Sequence, residues 1–237
     1  MLKKIKIISF EIGNECNLRI EHHKCPINHR KYLVTKFGAI TPSVIINVIS
    51  ECQKLNFEGY YAFHFYNEPL LYRERIMQVI SKKPHERYLL WTNGELLKEN
   101  DEILDLFDKV VISCYKKEKL PFYKKLQKEH RQIEIEQWEL DDRAQIYNRK
   151  EENKFGCKRV FFEIPIDYYG NIHLCCRDWN NSCKLGNILE TRFSDILAGN
   201  EYKDVISNVR KRILDTDNCP EICKQCDEPW IRIPSGW

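Results

Sequence analysis

Apolar runs rich in β-branched and aromatic residues alternate along this chain with segments of helical periodicity, and that alternation restricts its fold most. The runs fall at residues 5–10, 60–65, 88–91, 110–113 and 133–138. Between them, residues 42–55, 70–80, 101–107 and 120–130 read as helices, the first opened by the Thr41-Pro42 cap pair. Strand and helix taking turns at roughly 25-residue spacing imply βαβ units, right-handed crossovers and a parallel sheet that curls into an open or partial barrel. Ligands of such folds gather beyond the strand C-terminal ends, where Cys16, Glu68, Asn93 and Ser113 fall.

From about residue 141 the pattern changes. Residues 141–154 are polar and read as a linker; 160–166 and 172–175 flank Asp167-Tyr168-Tyr169-Gly170-Asn171, which reads as a hairpin turn. A helix follows over about 193–212. The expected division is a barrel core over residues 1–145 and a small cysteine-rich α+β segment, hairpin plus helix, over 146–237.

Charge and hydropathy exclude some functions. A formal net charge of +3 without a Lys/Arg block gives no sign of nucleic-acid binding. No apolar run reaches the ~18 residues of a membrane span. The first residues enter the strand pattern without a signal-peptide core, so the expected location is cytoplasmic. That makes the eleven cysteines informative, because reduced thiols point to metal or cluster ligation rather than disulfides.

The cysteines form two groups. The loop after the first strand holds Cys16, His22, His23, Cys25 and His29, a donor set suited to a soft metal or an iron–sulfur cluster. Cys223-x2-Cys226 supplies half of a four-thiolate site, and Cys157 and Cys175, on either side of the hairpin, can supply the rest. Spacing leaves zinc and an iron–sulfur cluster both open.

Cys157-x12-Gly170-x4-Cys175, Leu185-Gly186-Asn187-Ile188 and Cys223-x2-Cys226 resemble the auxiliary-cluster extension of radical S-adenosylmethionine enzymes, in its shorter twitch form rather than the full SPASM domain. Residues 5–140 are similar to the core of that family, a partial (β/α)6 TIM-like barrel. Tyr66-Asn67-Glu68-Pro69 stands where the family has Gly-Gly-Glu, often followed by Pro, and only Glu68 matches. Thr92-Asn93-Gly94 resembles its next polar motif. The family's Cys-x3-Cys-x2-Cys becomes Cys16-x5-His22-x2-Cys25 when the last cysteine is aligned.

The resemblance implies two [4Fe–4S] clusters, the first held by Cys16, His22 and Cys25 and the auxiliary one by Cys157, Cys175, Cys223 and Cys226. His23, His29 and an outside ligand are alternatives in the first set; Cys176 and Cys219 are rivals in the second. It also implies S-adenosylmethionine contacts at Glu68, Asn93 and Ser113. The implied reaction is reductive cleavage of S-adenosylmethionine to a 5′-deoxyadenosyl radical, then hydrogen abstraction from a small molecule, a sugar or amino-acid derivative rather than a peptide. An electron donor such as flavodoxin or ferredoxin is the implied partner. The outcome would be dehydrogenation, or epimerisation if Cys183 or Cys114 returned hydrogen; Arg143 can meet a carboxylate or phosphate. Packing for the two thiols and a solvated linker for Arg143 are the plainer readings. A scaffold or partner subunit that has lost S-adenosylmethionine cleavage, and a zinc-stabilised binding protein, are the alternatives.

Overall fold

The computed structural model describes residues 2–30, 39–140, 159–211, 220 and 222–223. Six parallel strands form one sheet: β1 (Ile7–Phe10), β2 (Tyr60–Ala62), β3 (Tyr88–Thr92), β4 (Lys109–Cys114), β5 (Ile133–Gln137) and β6 (Glu163–Ile166), in the order β5-β4-β3-β2-β1-β6. The first five are the strands read from the sequence.

Five helices accompany the strands among the described residues: α1 (Pro42–Lys54), α2 (Arg73–Lys82), α3 (Leu120–Glu129), α4 (Phe193–Ala198) and α5 (Asn200–Lys211). In α1, Ile45, Val48, Ile49 and Cys52 recur at helical spacing and are buried. Ile76, Val79 and Ile80 do the same in α2, and Tyr123 and Leu126 in α3. Residues expected as helix near 101–107 form only a short 3-10 turn, Glu102–Leu106. The single helix expected over 193–212 is broken at Gly199, which is extended (φ −62°, ψ 148°).

Alternation along each strand divides the sheet. Ile8, Phe10, Tyr61, Phe63, Leu90, Val110, Ile112, Ile164 and Ile166 join the helices in the large core. Ile7, Ala62, Leu89, Val111 and Phe162 form a smaller cluster on the opposite face, which includes no helical residue. A parallel sheet is normally covered on both faces, so a face left to its own side chains is the interior of a sheet that curls toward a barrel.

One assignment changes. Sequence alone places residues 160–166 in a hairpin of the C-terminal segment. Instead, Glu163–Ile166 adds to the edge of the main sheet, parallel to β1, with Ile7 opposite Glu163 and Phe10 opposite Ile166. All four residues are buried, as in a strand covered on both sides rather than a half-exposed hairpin arm. Edge position accommodates Pro165, which lacks an N–H. Of the expected returning arm, only an antiparallel bridge between Ile166 and Ile172 forms. The turn between them is real: Asp167 Oδ1 accepts from the backbone N–H of Tyr169 and Asn171, and Gly170 takes φ +83°. The expected boundary at residue 145 and the linker lie outside the described residues.

Gly59, just before β2, is required by close approach. A Cβ there would press into the Lys6 carbonyl oxygen and the Phe57 ring. Lys6 is held in place because that same oxygen accepts the Tyr60 N–H at 2.8 Å. Gly59→Ala should therefore destabilise the protein by about 1–3 kcal/mol, the usual cost of overpacking, read as a lower denaturant midpoint with unchanged slope.

Candidate active site at the strand C-terminal ends

The loop leaving β1 is ordered by local hydrogen bonds. His22 N–H donates to Leu18 O (2.7 Å) and Cys25 N–H to His22 O (2.9 Å). Asn28 ties the loop together: its Nδ2 donates to the carbonyls of Arg19, His22 and His23, and its Oδ1 accepts from Arg19 Nε. Lys116 joins Glu21 of this loop (3.2 Å) to Glu95 beyond β3 (3.4 Å).

Cys16 and Cys25 are half-buried thiols close enough to influence each other's ionisation. Burial pushes the Cys16 thiol up to about 12; Glu68 and Cys25 reinforce the shift, and hydrogen bonds from Leu18 N–H and Asn93 oppose it. His22 is buried, with its ring 6.0 Å from that of Tyr115, whereas His23 and His29 are exposed.

Glu68 is buried at the start of the turn after β2. Its Oε1 accepts from Thr92 Oγ1 (2.6 Å) and Leu70 N–H (3.0 Å), and its Oε2 from Asn93 N–H (2.9 Å). Burial raises its carboxyl above the ordinary value, and these donors and Arg73 pull against that. Asn93 in turn donates through Nδ2 to Asn17 Oδ1 (2.8 Å) and, at 3.9 Å, to Cys16 Sγ. Glu68 thus fastens β2 to β3, and Asn93 fastens β3 to the cysteine loop. Ser113 Oγ accepts the Trp91 indole N–H at 3.0 Å. Cys114 is buried and donates to Lys116 O.

A second polar group, not singled out from sequence, lies between the ends of β1, β2 and β6. Arg30 Nη1 donates to Glu11 Oε2 at 2.6 Å, both residues buried, and its guanidinium lies 4.9 Å from the Phe65 ring centre and 4.6 Å from that of Tyr66. Glu11 Oε1 accepts Tyr66 N–H. Burial pushes the Glu11 carboxyl up, and the Arg30 charge pulls it back. Asp167 and His173 pair at 3.0 Å, fully buried. Burial opposes ionisation of Asp167, but hydrogen bonds from His173 and Asn171 outweigh it and hold the carboxyl below its usual range. The available signal was Glu11 itself, a charge continuing the run of β1 two residues beyond Ser9.

Cys175 follows β6 and is half-buried; desolvation, then Cys176 and Cys223, push its thiol well up. The structure therefore brings Cys175, Cys176 and Cys223 together, while Cys157, Cys219, Cys226 and Arg143 lie outside the described residues. Arg159 Nη1 donates to Cys176 Sγ at 2.5 Å, and Tyr66 Oη donates to the Cys176 carbonyl. Cys183 packs against the core, its backbone N–H held by Asp178.

Among the described residues, no three His, Cys, Asp or Glu side chains converge as ligands of one metal ion. A four-iron cluster makes a different demand, since each donor binds its own iron and the donors stand further apart. Thiols held in pairs, without disulfides, suit such clusters in donor chemistry. Because β6 lies beside β1, both thiol groups open on one end of the sheet.

Residues 157–227 match the SPASM family, an iron–sulfur cluster-binding domain. A curated relative, the S-adenosyl-L-methionine-dependent 2-deoxy-scyllo-inosamine dehydrogenase of Niallia circulans, is 23% identical over 96% of this chain and 94% of its own length. The crystal structure of BtrN in complex with AdoMet and 2-DOIA shares the fold with a TM-score of 0.75 at 21% identity, covering 94% of this chain and 93% of that one. A histidine-tagged form of anSMEcpe with bound AdoMet gives 0.56 at 12% identity, covering 93% and 87%. No described helix is long and apolar enough to cross a membrane. Residues 157–227 thus carry a SPASM-type iron–sulfur cluster-binding segment, and the parallel partial barrel with thiol groups at its mouth shares the fold of structures solved with bound S-adenosylmethionine.

Proposed function

We propose that this chain dehydrogenates a small polar molecule in an S-adenosylmethionine-dependent reaction, with an aminocyclitol of the 2-deoxy-scyllo-inosamine kind as the first compound to try. The observation that carries the reading is the meeting of the two thiol groups at one mouth, beside a sheet face left free of helices. With Cys16, His22 and Cys25 holding one cluster and Cys157, Cys175, Cys223 and Cys226 the other, the bound cofactors would supply a hydrogen-abstracting radical and an electron acceptor.

The chain's own residues then orient and seclude. Glu68 and Asn93 fix the mouth beside Cys16, and Asn93 keeps its side chain directed at that sulfur. The Glu11–Arg30 pair and the Tyr66 contact to Cys176 close the wall between the cysteine loops, which keeps water from the reacting centre. An imidazole in place of a third thiolate makes the first cluster less negative, so its reduction potential should lie above that of a His22→Cys variant. The electron would come from a small carrier such as flavodoxin or ferredoxin.

Anaerobic reconstitution followed by assay tests the reading. Roughly eight irons per chain, and 5′-deoxyadenosine formed together with oxidised aminocyclitol, are expected. Four irons and no 5′-deoxyadenosine would point instead to a scaffold, and zinc without sulfide to a binding protein.

A further inference from the structure

The free face of the sheet is not uniformly apolar. Above the floor of Ile7, Ala62, Leu89 and Val111, the next inward positions hold Ser9, His64, Trp91 and Ser113, and β6 adds Glu163 beside them. Ser9 Oγ donates to Glu163 Oε1 at 2.5 Å, and His64 Nε2 stands 3.7 Å from the same oxygen. The indole of Trp91, fixed by Ser113, lies 5.2 Å from the His64 ring.

Two features of this belt have no internal explanation. The Glu163 side chain is 9% exposed, yet no lysine or arginine among the described residues pairs with it. A buried carboxylate without a cation is costly, and Ser9 offsets only part of that cost. His64 is no substitute: burial lowers its pKa, against the pull of Glu163, so the ring is neutral near pH 7. In addition, His64 Nδ1 is buried without a hydrogen-bond partner among the described residues. A structural belt would satisfy itself, because groups left unmatched in a core are expensive. Both unmatched groups lie on the face that the proposed reaction would use.

We infer that Glu163, steered by Ser9 and flanked by His64 and Trp91, is the specificity-determining carboxylate of the substrate pocket and takes the ammonium group of an amine-bearing, hydroxylated ring. The assignment rests on the dehydrogenase reading for its substrate class. Carboxylate and ammonium form a charge-assisted hydrogen bond, and a neutral hydroxyl at the same place forms only the weaker neutral kind. The indole of Trp91 offers a flat apolar wall to the ring carbons. Glu163 therefore acts in binding and in choosing between amine and hydroxyl.

Equilibrium binding under anaerobic conditions tests this with two probes: 2-deoxy-scyllo-inosamine, and the same ring with hydroxyl replacing the amine. Wild type should bind the amine at least about tenfold more tightly. Glu163→Gln, whose amide oxygen can still accept from Ser9, should lose about tenfold for the amine and less than about twofold for the hydroxyl compound. Glu163→Asp should fall between. A thermal midpoint for Glu163→Gln near wild type shows that the loss is not unfolding. Equal affinity of wild type for the two rings, binding of neither, or equal losses for both in Glu163→Gln would overturn the assignment. If wild type forms no 5′-deoxyadenosine, the dehydrogenase reading fails, while the amine-against-hydroxyl comparison still decides the role of Glu163.

Discussion

Cys16→Ala should abolish 5′-deoxyadenosine formation and remove one cluster's spectrum while leaving the other's. Cys16 is the sulfur that Asn93 addresses, and it shares a loop with Cys25 at the end of β1. Burial holds its proton on in the free thiol, so deprotonation at neutral pH requires a bound cationic centre to stabilise the thiolate. Removing it deletes a donor for which alanine offers no replacement. Loss of activity should exceed about a hundredfold, the upper end of what outer-sphere partners of a ligand are worth. Iron should drop from roughly eight to four per chain. The matching His22→Ala variant assigns the third donor. In a background lacking Cys223 and Cys226, loss of the remaining cluster spectrum in His22→Ala supports the imidazole, and an unchanged spectrum returns the place to His23 or an external ligand. Wild-type His22 with no cluster spectrum in that background would overturn the radical-enzyme reading itself.

Arg30→Met should be the most destabilising single change at the mouth, by about 3–5 kcal/mol, the cost of breaking a buried ion pair by removing one partner. Arg30 and Glu11 are both buried and meet at 2.6 Å, and the guanidinium also lies over Phe65 and Tyr66. In the variant, burial dominates Glu11, whose folded-state pKa then rises further above its unfolded value. A carboxyl raised in this way binds its proton more readily folded than unfolded. The variant should regain stability as pH falls from neutral through that raised pKa, and lose it again as pH rises. Glu11→Gln combined with Arg30→Met should be less destabilised than Arg30→Met alone, because no buried charge is stranded. Denaturant midpoints at two pH values check both statements; a pH-independent loss, or additive losses in the double variant, would remove the ion pair as the cause.

Much of the scaffold was legible because strands and helices announce themselves locally. The run at 133–138 and the periodicity of Ile45, Val48, Ile49 and Cys52 each need only their own neighbours to be read, and β5 and α1 formed there. Residues 160–166 failed for an equally local reason. A short apolar run before Asp167 and Gly170 looks the same whether it turns back on itself or joins a distant strand, and period-two alternation carries no information about the partner. Glu68 and Asn93 were singled out by their places at strand ends, but their roles as fasteners depend on contacts across more than twenty residues. Arg30, Glu11 and His173 escaped notice because an isolated charge in a sequence is usually solvated; only burial of all three together makes them a unit.

Sequence by itself determined the first five strands, the parallel sheet they form and the two groups of thiols, since periodicity and residue type are properties of neighbours in the chain. Tertiary structure alone decided that β6 lies against β1, which brings the thiol groups to one mouth and sets Glu163 against Ser9, 154 positions away. The physical reason is that edge pairing is selected by whichever strand best buries both faces of 163–166 and satisfies its backbone, a choice made by the whole sheet.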